Sequence, residues 1–166
     1  MSGLIEVIER HATLREFICT DCKENNSEAK VDERFRNWCI LNPEAYFKSL
    51  RSGNTPSAVD CLIPIECRND NYVYFLIELK SAPKDLDREY ANIYKKFEDT
   101  LDKFIFGEFA KVFKVDTLKR IELLVVHKIA KKDRHLLEKR FLIPVRRANR
   151  NLHIQLHLSP HTIKKC

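Results

Sequence analysis

The runs 58–67 and 72–80 are almost wholly apolar and are separated only by Arg68, Asn69, Asp70 and Asn71. A short polar break between two runs rich in β-branched and aromatic residues predicts a β-hairpin. Side chains alternate along a strand, so each run has an odd row and an even row. Val59, Cys61, Ile63 and Ile65 form the odd row of the first strand; Val73, Phe75, Ile77 and Leu79 form that of the second. Burying both odd rows in one core requires a register that pairs odd with odd, because a slip of one residue turns every side chain over. That register puts Asp60, Glu78 and Lys80 on one face of the sheet and Leu79 on the other.

Charge at the end of a strand that otherwise reads Tyr-Val-Tyr-Phe-Leu-Ile needs a reason, since a partly covered carboxylate or ammonium is costly without a partner. Facing carboxylates share a proton or a cation, and oxygen donors on rigid strands suit Mg2+ or Mn2+. A cation held by Asp60 and Glu78 would engage phosphate oxygens and activate water. Lys80 beside it would orient or deprotonate that water and offset charge on the phosphorus. These are the groups that phosphodiester hydrolysis requires. The plainer alternative is a salt bridge at a strand end, for Glu-x-Lys is a common pattern and Glu28, Ala29 and Lys30 make a second copy here.

Around the hairpin, apolar spacing predicts a helix over 4–18 from Val7, His11, Leu14 and Ile18, and another over 28–41 from Val31, Phe35 and Trp38. Ser27 would cap the second helix and Asn42-Pro43 would stop it. Residues 46–51 suit either a short helix capped by Asn42, Pro43 and Glu44 or a strand. The stripe Leu86, Tyr90, Ile93, Phe97, Leu101 and Phe104 predicts a long helix over 86–106, ended by Gly107. The aliphatic run 120–127 reads as a central strand covered on both faces, 133–140 as a short basic helix and 152–158 as a half-exposed strand. The expected class is α/β: a central mixed sheet flanked by helices, in a single domain over 1–166.

A chain of 166 residues with 44% hydrophobic content can bury a core of that size. No apolar run approaches a membrane span and the N-terminus does not read as a signal peptide, so the expectation is an intracellular protein, cytoplasmic or nuclear, with no membrane partner. The six cysteines, irregularly spaced, then read as free thiols. Cys19 and Cys22 make a CxxC pair with no second pair at zinc-finger spacing. His153, His157 and His161 fall across the strand-like end of the chain and read as a solvated face. Charge is unevenly placed: up to Pro83 there are ten Lys/Arg against thirteen Asp/Glu, and from Lys84 onward twenty against eleven. The stretch 128–150 holds nine Lys/Arg and two acids. Either it is a solvated basic face or it meets nucleic acid, through Lys131, Lys132, Arg134, Arg146, Arg147 and Arg150.

Pro56, Ser57, Ala58, Val59, Asp60 followed by Ile77, Glu78, Leu79, Lys80 resembles the core of the PD-(D/E)XK nuclease superfamily, in which an Asp enters one strand and E-x-K ends the next. The resemblance covers about residues 27–128 and is similar in its motif to archaeal Holliday-junction resolvases. It implies a restriction-endonuclease-like core ordered helix, three strands, helix, strand, with an extra N-terminal helix and a C-terminal helix and strand. Residues 46–51 would be its first core strand. Asp60 and Glu78 would be metal ligands, the Leu79 carbonyl a further ligand, and Lys80 the catalytic lysine, with Mg2+ or Mn2+ as cofactor. Many members add a Glu from the first core helix, for which helical phase favours Glu28 over Glu33, and a Gln or Lys from the following helix, here Lys84, Lys95 or Lys96. Val59 stands where the pattern has Pro, with Pro56 displaced upstream. The expected partner is nucleic acid, DNA ahead of RNA, with a homodimer as one source of selectivity; a module that binds nucleic acid or assembles without chemistry is the rival.

Overall fold

The computed structural model describes residues 3–24, 26–68, 71–81, 86–113, 120–147 and 150–166. Strands β5 (Cys61–Cys67) and β6 (Asn71–Lys80) form the hairpin, with Cys61 opposite Ile77, Ile63 opposite Phe75 and Ile65 opposite Val73. This is the odd-with-odd register that burial of both rows demands. Strand β7 (Arg120–His127) lies parallel to β6, and β10 (Ile154–Leu158) parallel to β7. On the other side β4 (Ile40–Leu41) pairs antiparallel with β5, and β1 (Ile18–Cys19) with β4, giving a mixed sheet ordered β1-β4-β5-β6-β7-β10.

Each row of the hairpin builds its own core. The even residues Leu62, Tyr74 and Leu76 pack with α1 (Leu4–Arg10), α2 (Pro43–Ser49), α3 (Leu86–Asp99) and α5 (Lys131–Arg140), through residues such as Ile8, Phe47, Phe97 and Leu137. The odd residues Ile63, Phe75 and Ile77 pack with Cys22, Ala29 and Ile163. Those three belong to β2 (Cys22–Glu24), β3 (Ser27–Val31) and β11 (His161–Ile163), a small sheet ordered β11-β3-β2. Helices therefore cover one face of the central sheet, and strands cover the other. A short antiparallel ribbon of β8 (Val145–Arg147) and β9 (Arg150–Leu152) lies between α5 and β10 in the chain.

Three local expectations are corrected. The helix over 4–18 stops at Arg10, because the His11 Nδ1 accepts the Thr13 and Leu14 N–H groups that a longer helix would have bonded. The helix over 28–41 is absent: Ser27–Val31 is strand β3, paired with β2 and β11. Val31, Phe35 and Trp38 still pack against the second core, so the stripe was apolar for the right reason and helical for none. The segment 46–51 is not a strand. Asn42 Oδ1 accepts the Ala45 N–H at 2.8 Å with Pro43 in the first turn, and this cap starts α2. The strand that flanks β5 there is β4, with Leu41 opposite Leu62.

The long helix extends as expected through α3 but then widens into a π-helical segment, Thr100–Glu108, before α4 (Ala110–Phe113). Gly107 lies inside that segment rather than ending it. A Cβ there would stand 2.7 Å from the Asp102 carbonyl oxygen, so the wide turn requires glycine. The cysteines are corrected too: Cys22 is bonded to Cys61 and Cys67 to Cys166, with only Cys19 and Cys39 free, so the CxxC spacing joins neither partner to the other. Among the described residues no helix is long and apolar enough to cross a membrane.

The cap on α2 separates the helical assignment from the strand. Asn42→Ala should destabilise the protein by about 1 kcal/mol in urea unfolding, the usual cost of losing an N-cap. A loss near zero would mean that the side chain does not cap a helix.

Candidate active site

Strand β6 leaves the core at its last residues. Glu78 is fully buried on the helical face, and Lys80 is partly exposed. From the neighbouring strand Asp60, immediately before β5, is also buried, and its Oδ2 accepts the Leu79 N–H at 2.7 Å. The trio expected from register thus comes together: Lys80 Nζ lies 3.2 Å from Glu78 Oε1, and Asp60 is close enough to feel the Glu78 charge. Leu79 turns its side chain into the opposite core and meets the site through its backbone.

Helix α3 supplies what the hairpin lacks. Lys96 Nζ is 2.8 Å from Glu78 Oε1, so that one oxygen is held by two ammonium groups. Glu89 Oε2 lies 3.0 Å from Lys80 Nζ. Of the three lysines considered, Lys96 reaches Glu78, Lys95 pairs with Asp99, and Lys84 lies outside the described residues. The end of α3 also grips the chain leading into Asp60. Asp99 Oδ2 accepts the Ser57 N–H at 3.0 Å, and Thr100 Oγ1 accepts the Val59 N–H at 3.0 Å.

The carboxylate that the structure brings beside Asp60 is Glu24 rather than Glu28. With 28–41 no longer helical, the phase argument for Glu28 falls. Glu28 sits on β3, 3.5 Å from Lys30, and lines a separate hollow with Lys23, Ser81 and Lys128. Glu24 ends β2, where the Cys22–Cys61 disulfide ties that strand beside Asp60, and the Glu24 and Asp60 carboxyls hydrogen-bond. Ser27 Oγ, across from Glu24, donates to the Lys80 carbonyl. No periodicity in the sequence could have brought Glu24 here, because a long-range cross-link and a second sheet do so. Glu89 and Lys96, by contrast, are seven residues apart and share a helix face.

Electrostatics follow from burial. Burial and the Glu78 charge push Asp60 up to about 6. The hydrogen bond with Asp60, then burial, push the exposed Glu24 up to about 7. The pair therefore shares a proton near neutrality. Burial pushes Glu78 up as well, and the two ammonium groups only partly offset it. For Lys80 and Lys96 burial works against the charge, yet the surrounding carboxylates outweigh it and hold both above their usual value. Glu78 Oε2 is buried without a hydrogen-bond partner. An orphaned Glu78 oxygen with Asp60 near it, and Glu24 beside Asp60, is the donor chemistry that a hard divalent cation takes, with Asp60 and Glu78 as the groups that would hold it. Among the described residues no group of three or more His, Cys, Asp or Glu stands preassembled for a metal.

The basic stretch divides. Lys131, Lys132 and Arg146 are exposed. Arg134 is engaged with Glu138 and the Leu156 carbonyl, and Arg147 with Glu98 at 2.7 Å and Asp102 at 2.6 Å. Arg150 is half-buried. Arg147 thus anchors β8 to α3 and its extension.

Asp60 sets a pH dependence. Its folded pKa is raised from 3.8 to about 6, so the folded state holds the proton more tightly than the unfolded chain. The stability this contributes is present at low pH and is lost as pH rises through about 4 to 6, a displacement worth about 3 kcal/mol at most. Asp60→Asn removes the buried charge. In chelator it should be more stable than the parent near neutral pH and converge with it in acid, as read by denaturant unfolding across pH; a variant less stable at neutral pH contradicts the burial account. Comparison with protein-family models, with curated proteins and with solved structures returns no match, so the site's meaning rests on its own geometry.

Proposed function

We propose that the chain is a metal-dependent nuclease that hydrolyses phosphodiester bonds in nucleic acid, DNA ahead of RNA, on a restriction-endonuclease-like core of the PD-(D/E)XK type. The observation that carries this reading is the fully buried Glu78, clamped through one oxygen by Lys80 and Lys96 and left unpartnered at the other, with Asp60 facing it. Such a carboxylate is expensive to keep, and a site that uses it accounts for its place.

In this reading Asp60, Glu78 and the Leu79 carbonyl hold Mg2+ or Mn2+. The cation supplies Lewis acidity toward the phosphate and lowers the pKa of the attacking water. Lys80 stays protonated, since its acids hold it above its usual value. It therefore orients the water and offsets charge on the phosphoryl group, rather than acting as a base. Lys96 fixes the Glu78 carboxylate, and Glu24, hydrogen-bonded to Asp60, would lose its proton if a cation were held there. Lys131, Lys132 and Arg146 contact backbone phosphates without reading bases.

One observation favours the rival, a non-catalytic module: Lys80 and Lys96 are both satisfied by acids, as in a structural ion-pair network. Cleavage assays on duplex, branched and single-stranded DNA and on RNA, with Mg2+, Mn2+ or chelator, separate the two. Lys80→Ala should lower kcat by about 100- to 1000-fold with substrate binding kept. Asp60→Asn should abolish cleavage and also the proton release that accompanies Mg2+ binding near neutral pH, measured by calorimetry in buffers of different ionisation enthalpy. Lys30→Ala, in the second Glu-x-Lys copy, should cleave normally. Parental rates in the Asp60 and Lys80 variants would sink the mechanism, and a parent protein inert on every substrate would favour the rival.

A further inference from the structure

Although the chain up to Pro83 carries more acid than base, the fold gathers three of its arginines, Arg34, Arg36 and Arg68, with Lys164 around a hollow of about 710 Å³. The hollow lies at the turn end of the hairpin, beside Glu66 and Asn71, whereas Lys80 is nine residues further along β6. At about 3.3 Å per residue the two ends stand about 30 Å apart, so this is not the site around Glu78.

The walls are tied together. The Cys67–Cys166 disulfide joins the end of β5 to the segment after β11, and the Asp32 N–H donates to the Ile163 carbonyl at 3.0 Å. Arg34 is committed to this framework: its Nε and Nη2 bond Asp32 at 2.9 and 3.2 Å, and Nη2 reaches the Lys164 carbonyl at 3.3 Å. Arg36, Arg68 and Lys164 are exposed, and among the described residues no carboxylate pairs with them. Among the described residues Glu66 is the one acidic side chain in the lining. Cations gathered in a concavity repel each other, and an anionic ligand relieves that repulsion.

Two features point to the kind of anion. Half-buried Phe35, which packs against the second core, also lines the hollow and brings an aromatic ring among its cations. A second hollow, of about 460 Å³, shares Lys164 and Cys166 with the first and continues past Lys165. A lone phosphate needs neither the ring nor the length. A flexible strand with phosphates along its backbone and bases free to stack uses both.

We propose that this groove binds a single-stranded segment of nucleic acid, its phosphates on Arg36, Arg68 and Lys164 and a base against Phe35. The inference does not depend on cleavage at Glu78. It is tested with the full chain in chelator, by fluorescence anisotropy on a labelled oligothymidylate and on a duplex of equal length. Arg36→Glu with Arg68→Glu should weaken single-strand binding by about tenfold or more and flatten the slope of log K against log salt by about 1.4, at about 0.7 per lost phosphate contact. Phe35→Leu keeps an apolar side chain against the core and removes the ring; it should weaken single-strand binding about tenfold with the slope unchanged. Lys111→Glu, an exposed reversal on α4, should bind as the parent does, and circular dichroism should match in all variants.

Parental affinity in the double arginine variant overturns the proposal. So does Phe35→Leu binding as the parent does, or equal losses on single strand and duplex, either of which would mean a general polyanion surface. Stronger competition by polyglutamate than by oligothymidylate would assign the groove to an acidic protein segment instead and also overturns it. Cleavage is assayed separately with Mg2+: a parent protein that cuts nothing sinks the nuclease reading and leaves the anisotropy result to stand or fall alone.

Discussion

Strand β6 is apolar on both faces for most of its length, and the rest of the molecule is arranged to cover them. Its even row needs one core and its odd row another, so the strand must lie inside a sheet with a layer on each side. The chain meets this demand asymmetrically, with helices over Tyr74 and Leu76 and a three-stranded sheet over Phe75 and Ile77. At about 1.5–3 kcal/mol for each fully buried large side chain, both rows weigh heavily in a balance of large opposing contributions. Because register is fixed by that burial, the polar residues at the strand end have no freedom in where they point. Glu78 is carried to the helical face and under α3, and Asp60 is carried with it.

Helix α3 is the element on which site and fold meet. Its apolar stripe, Ile93 and Phe97, docks on the even row. One turn away, Glu89 and Lys96 reach the lysine and the glutamate of β6. At its end Asp99 and Thr100 hold the backbone of Ser57 and Val59, which fixes the approach of Asp60. A shift of α3 along the sheet would therefore disturb packing, counter-charge and ligand position together. Arg147 adds a brace from β8 to Glu98 and Asp102, which explains why part of the basic stretch is turned inward.

What was legible in the sequence was what short-range periodicity encodes. The hairpin, its register, the strand 120–127 and the start of the long helix all follow from alternation or from a stripe at helical spacing, and the Asp60, Glu78 and Lys80 convergence follows from register alone. The failures share one cause. Val31, Phe35 and Trp38 are spaced as a helix would space them, but Ser27–Val31 is a strand because β2 and β11 lie beside it, and β11 comes from the far end of the chain. The same long-range contacts brought Glu24 to Asp60 and left Glu28 aside. Disulfides joining Cys22 to Cys61 and Cys67 to Cys166 were equally invisible, since no local spacing marks partners 39 and 99 residues apart. Residues 46–51 were misplaced only where the resemblance outweighed the cap; Asn42-Pro43 had already described a helix start.

Charge balance separates a structural ion-pair network from a site that awaits a ligand. A network retained for stability matches its charges, because each uncompensated buried ion costs several kcal/mol. Among the described residues the acids gathered around Glu78 include Glu24, Asp60 and Glu89, and Lys80 and Lys96 contact them. The excess is two carboxyls. The hydrogen bond with Asp60 and burial push Glu24 up to about 7, and burial and the Glu78 charge push Asp60 up to about 6, while Glu78 Oε2 has no hydrogen-bond partner. A pair of hydrophobic residues would be cheaper to bury, and two further lysines would complete a purely structural network. In the proposed reading one divalent cation would supply the two positive charges that these acids lack among the described residues. On that reading the proton between Glu24 and Asp60 stands in for part of a metal's charge, and the unpartnered Glu78 Oε2 is kept for the cation rather than for a salt bridge.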